Sequence, residues 1–193
     1  MKWSWKIARV AGIDIYIHAT FFLLIYLVGM SYWNHYGTLA AVTSGILFIL
    51  ALFACIVLHE LGHSFMARHY GIQTRHITLL PIGGVASLEK LPEDPQQEIN
   101  VALAGPAVNF IIAFILYIFL NLNNAPVVTE EISVTGGSYL SRLMIMNIFL
   151  GGFNLLPAFP MDGGRVLRAV LALRMSHAEA TRKAASVGQF LAL

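Results

Sequence analysis

Leu58-His59-Glu60-Leu61-Gly62-His63 closes an apolar run that begins at Leu39, and its reading decides the fold of this chain. Leu39 to Leu58 supplies about 20 apolar or small residues, enough for a helix to cross about 30 Å of hydrocarbon. A helix that continues through the motif sets His59 and His63 four residues apart on one face, so both imidazoles reach one cation. Glu60 stands beside them and off that face, where a carboxylate can take the proton of a water. Ionisable side chains in an apolar span are costly, and their default reading is a functional site. A chance match to this pattern in a chain of this size is on the order of one in a hundred.

Composition places the chain in a membrane. Hydrophobic residues make up 58% and charged residues 11%, with a mean hydropathy of +0.71. Soluble domains carry about 25% charged residues. The formal net charge of +2 is too mild to argue for a nucleic-acid partner. The lipid bilayer is the expected surround. Cys55 is the single cysteine, which excludes an intrachain disulfide.

The expected fold is an all-α polytopic membrane protein with short membrane-associated β-strands. Ile7 to Ile17 reads as two strands around Ala11-Gly12, and Ile77 to Leu88 as two more around a Pro/Gly-Gly bend. Membrane helices are expected over Phe21–Tyr32, from Leu39 on through the motif toward Ala67, over Val101–Leu122 and over Tyr139–Leu156. Leu91 to Gln97 and Val127 to Ser138 read as loops. Arg165–Arg174 reads as a short amphipathic helix. A further helix begins at Ala178, and the chain stops inside it, as a C-terminally trimmed domain would. Residues 1–193 form one membrane-embedded domain in this reading.

Eleven of the 12 basic residues fall at the N-terminus, after helix two or after helix four, and Arg142 alone falls opposite. The positive-inside rule makes the populated side cytoplasmic. The protein is expected to be multi-pass in the cell membrane, with its N-terminus and its site toward the cytoplasm.

A catalytic zinc takes three protein ligands and keeps one position open. His59 and His63 supply two. Among the acidic residues, only Glu60 and Asp162 have strongly apolar sequence surroundings, and Glu60 is needed as the base. Asp162, in Phe159-Pro160-Met161-Asp162-Gly163-Gly164-Arg165, is therefore the best third ligand. Asn154 could hold substrate backbone or stabilise an oxyanion. His18 could reach the site from helix one. Cys55, Gly105 and Gly151-Gly152 read as packing residues.

His59-Glu60-Leu61-Gly62-His63, Pro81-Ile82-Gly83-Gly84, Ala104 to Asn109, and Asn154-Leu155-Leu156-Pro157 through Arg165 together resemble the site-2 protease family of intramembrane zinc metalloproteases, archaeal and bacterial type. The resemblance implies one zinc ion per chain held by His59, His63 and Asp162, with Glu60 catalytic. It implies a three-helix catalytic core, here helices two to four. It implies cleavage of membrane-spanning protein substrates within or near the bilayer, as in regulated proteolysis. The competing reading is a divalent metal-ion transporter. A transporter would spread its polar residues through the membrane, whereas here they gather at one end of helix two.

Overall fold

The structure is a computed structural model, and it describes residues 3–81, 83–90, 92–124 and 139–191. It is mostly helical, with one four-stranded sheet. The strands β1 (Ser4–Val10) and β2 (Ile13–His18) form a hairpin across Ala11-Gly12, where both residues take positive φ. Two helices follow, α1 (Thr20–Tyr36) and α2 (Leu39–His69). Gly37, at φ 64°, ends α1 by donating its N–H to Trp33 O at 2.8 Å. Thr38 caps α2 by accepting from Ala41 N at 3.3 Å.

After α2 come β3 (Thr74–Leu80) and β4 (Gly83–Leu88). The sheet order is β1-β2-β3-β4, with β2 and β3 parallel and both other pairs antiparallel. Its inner residues Ile13, Ile15, Ile77 and Leu79 pack on Phe21 of α1 and on Phe53 and Leu61 of α2. The sheet thus lies against the helix that carries the histidine motif. Both expected strand pairs are present. Among the expected loops, Val127–Ser138 lies outside the described residues.

The helices α3 (Pro95–Leu122), α4 (Tyr139–Asn154), α5 (Asp162–Ala172) and α6 (His177–Leu191) complete the chain. The start of α3 corrects the sequence expectation by six residues. Pro95, read as a loop breaker, sits at the first helical position, where its missing N–H costs nothing. Asp94 caps the helix by accepting from Gln96 N at 2.9 Å. The short helix α5 likewise begins at Asp162, three residues before the expected Arg165.

Two described helices, α2 and α3, are long and apolar enough to cross a membrane. Large apolar side chains stand exposed along α3 and α4, among them Phe114, Ile115 and Phe149. In lipid, helix association rests on close packing and polar contacts rather than on escape from water. Buried polar residues supply such contacts here. Asn147 of α4 donates to Leu143 O at 2.8 Å and to Cys55 Sγ of α2 at 3.4 Å. Cys55 is therefore a packing residue, in a cluster with Phe48 and Leu143.

A largely buried ion pair ties α5 to α3. Arg168 donates through Nε and Nη2 to the Glu98 carboxylate, the Nε bond measuring 3.1 Å. Glu98 is only 1% exposed. The sequence reading left Glu98 among the flanking acids, because its neighbours Gln96, Gln97 and Asn100 are polar. Glu98→Ala is expected to destabilise the protein by about 3–5 kcal/mol, because Arg168 is left without its counter-ion. Thermal unfolding in detergent checks this. The double variant Glu98→Ala with Arg168→Ala should lose less than the two single losses combined.

Candidate metal centre

Helix α2 sets His59 and His63 on one face, ring centroids 4.7 Å apart and nearly perpendicular. Their Nε2 atoms are 3.1 Å from each other. Asp162 Oδ2, from the first turn of α5, lies 3.1 Å from His59 Nε2 and 3.0 Å from His63 Nε2. The three residues predicted as ligands therefore meet, although His63 and Asp162 are 99 positions apart in the chain. All three are buried.

The donor set fits a cation. Tetrahedral zinc with bonds of roughly 2.0–2.1 Å holds its ligand atoms about 3.3 Å apart, close to the triangle observed. His63 Nδ1 is 2.7 Å from Val101 O of α3. That carbonyl can only accept, so Nδ1 carries the proton and Nε2 presents its lone pair to the centre of the triangle. Two imidazole nitrogens and one carboxylate oxygen suit a divalent zinc ion, with room for a fourth ligand.

Helix α3 makes the triangle possible by approaching α2 very closely. A Cβ on Gly62 would stand 2.8 Å from Ala104 O, and one on Gly105 would stand 2.2 Å from His63 Nε2 and 2.7 Å from His59 Nε2. Gly105 thus lies directly against the ligand atoms. The sequence reading assigned it to helix packing, which is half of its role. The two glycines after Asp162 meet a similar constraint, since a Cβ on Gly163 would stand 2.2 Å from Leu155 O. The segment between α4 and α5 folds tightly over the start of α5 and so presents Asp162 inward.

A cavity of about 490 Å³ opens on this triangle. His59, Glu60, Asn154, Asp162 and Arg165 line it, together with Gly83 to Ala86 of β4. Glu60 turns away from the ligand face toward β4, as its place beside His59 requires. Gly84 leaves room for it there, since a Cβ on Gly84 would stand 2.7 Å from Glu60 Cγ. Asn154 reaches the cavity at the end of α4, where its Nδ2 donates to Leu150 O at 3.0 Å. His18 does not reach the site. Its Nδ1 is 2.9 Å from Thr20 Oγ1, at the start of α1. Gly151 packs on the Phe110 ring, whereas Gly152 faces open space.

A model of the peptidase family M50 matches residues 47–136 and 128–193. A zinc metalloprotease of Methanocaldococcus jannaschii is 42% identical over all of this chain and 53% of its own length. A Synechocystis relative is 36% identical over 86% of this chain and 44% of its own length. The chain thus spans about half the length of the curated relatives it matches. The solved site-2 protease of Methanocaldococcus jannaschii superposes with a TM-score of 0.70 at 38% identity, covering 98% of this chain and 82% of that one.

Gly105→Ala is expected to abolish zinc binding, because the added methyl occupies the space between the two Nε2 atoms. Metal content after purification, read beside helical circular dichroism, checks this. Helical content should stay near that of the parent chain.

Proposed function

The chain belongs to peptidase family M50, and on that premise we propose that it is an intramembrane zinc metalloprotease that hydrolyses peptide bonds of membrane-spanning proteins. The observation that carries this reading is the buried triangle of His59, His63 and Asp162 with Glu60 at its side. In this reading residues 1–193 act as one membrane-embedded domain, with α2, α3 and α4 as its catalytic core. A shared cluster supports that core, since Phe48 and Cys55 of α2 pack with Ile112 and Leu116 of α3 and Leu143 of α4.

At about 1.5 Å per residue, the motif lies about 30 Å along α2 from Leu39. A helix that starts at one edge of the hydrocarbon therefore delivers the site to the other edge. The basic residues Arg9, Arg68, Arg75 and Arg165 gather at that end of the sequence pattern, which supports a cytoplasmic site and a cytoplasmic N-terminus.

Zinc, when bound, supplies Lewis acidity toward a carbonyl oxygen and makes water a nucleophile near neutral pH. The chain's own residues do the rest. Glu60 takes the proton of the attacking water and returns it to the leaving amine nitrogen. The strand β4 has β3 as its only sheet neighbour among the described residues, and its residues line the cavity. An unwound substrate segment that adds to this edge would present an extended peptide bond to Glu60. Asn154 has spent one amide hydrogen on Leu150 O, so its Oδ1 is the group best placed to hold a substrate N–H. The transporter reading finds no comparable support, because the charged and imidazole side chains of α2 all lie from His59 onward, at one end of the helix.

Glu60→Gln is expected to keep zinc and to lose cleavage by a factor of about 10²–10⁴. Hydrolysis of an unstructured test protein by the detergent-solubilised chain, with and without a zinc chelator, checks this. Full activity in the variant would remove Glu60 from the role of base.

A further inference from the structure

Arg165 is the one cationic side chain among the described residues that line the cavity. Its placement is physically costly in three ways. Its side chain is only 18% exposed. It lies in the first turn of α5, where the helix dipole disfavours a cation. Its Nη2 is buried and has no hydrogen-bond partner, although a guanidinium offers five donors. A buried donor left unpaired is expensive, and such a group is commonly one that a ligand completes.

The division of contacts around Asp162 shows which way the guanidinium works. Oδ2 of Asp162 faces both histidines, whereas Oδ1 faces Arg165 Nη1 at 3.8 Å. That distance is an ion pair without a hydrogen bond, so Arg165 is held beside the ligand set while its other terminal nitrogen stays unused. Glu60 and Asn154 line the same cavity. Neither supplies a positive charge. Beside the Lewis acidity that a bound zinc supplies, a further positive charge favours hydrolysis: as the water oxygen bonds to the carbonyl carbon, the carbonyl π pair moves onto its oxygen. Collapse of that oxyanion breaks the C–N bond, and the amine leaves with the proton that Glu60 returns. No oxidation or reduction occurs.

We infer that Arg165 is a catalytic residue whose guanidinium donates to the substrate carbonyl oxygen as that oxygen becomes negative. This deepens the protease reading and rests on it. The helix dipole that makes Arg165 costly in the resting protein then adds to the attraction for the oxyanion. Asn154 is left free for the ground-state substrate. Buried donors aimed at developing charge are worth more than the same donors in water.

The test compares the parent chain with Arg165→Gln and Arg165→Lys in detergent, using the unstructured protein as substrate and a phosphinic peptide as probe. The phosphinic group places a tetrahedral anion where the oxyanion forms. Arg165→Gln is expected to lower kcat about 100-fold and to weaken phosphinic peptide binding by a similar factor. KM should change by less than about threefold, and zinc retention against a chelator should match the parent. Arg165→Lys, which keeps the charge, should recover part of both losses and serves alone if the glutamine variant does not fold. Unchanged kcat and phosphinic affinity would overturn the assignment. So would a loss of activity that tracks loss of zinc, because Arg165 would then act only by positioning Asp162. A parent chain that cleaves nothing would count against the protease reading itself. Phosphinic binding needs no turnover, and equal binding by parent and variants would still overturn the role of Arg165.

Discussion

The close approach of α3 to α2 at Gly62 and Gly105 is the constraint on which the rest of the site depends. Two imidazoles can share one cation only if nothing fills the space around their Nε2 atoms, and any Cβ on Gly105 would fill it. The same stretch of α3 supplies the Val101 carbonyl that sets the tautomer of His63. One turn earlier it supplies Glu98, which takes the Arg168 guanidinium of α5. The helix without a proposed ligand is thus the template for the helices that carry them.

This arrangement suits a protein in lipid. Apolar side chains gain little from choosing one another over acyl chains, so specificity falls to small residues and to polar contacts. The Glu98–Arg168 pair, the Asn147–Cys55 contact and the His63–Val101 bond each join elements distant in the chain. They hold α5 and α4 against a core that apolar area alone would leave free to slide. A buried ion pair is weak support for net stability, yet breaking one side of it is severe. Its value here is registry, because α5 starts at Asp162 and a slip along α3 would carry the carboxylate away from the histidines.

Legibility in the sequence followed the range of the interactions. His59, Glu60 and His63 are neighbours on one helix, so spacing alone places them. Asp162 was legible because a carboxylate set between prolines and glycines in an apolar context is costly unless a cation or a donor meets it. Gly105 was legible as a small residue at a helix contact but not as the floor of the ligand triangle, since no local pattern records what lies opposite. Glu98 was missed because its neighbours are polar and its partner stands 70 residues away. The start of α3 was misread because proline breaks a helix in its interior and begins one at its first turn, and Asp94 decides between the two.

By itself the sequence determined a strongly apolar, mostly helical protein with short strands, a histidine–glutamate motif at the end of a long apolar helix, and one aspartate suited to complete a metal site. These are matters of composition and local period, which any stretch of chain carries within itself. Only the tertiary structure decided that the three ligand atoms meet within hydrogen-bond distance of one another, that β4 edges the cavity beside Glu60, and that Arg165 joins its lining with one guanidinium nitrogen buried and unpaired. Those facts arise from contacts between segments far apart in the chain. Such contacts depend on how closely two backbones approach, and that distance is set by the packing of the whole bundle.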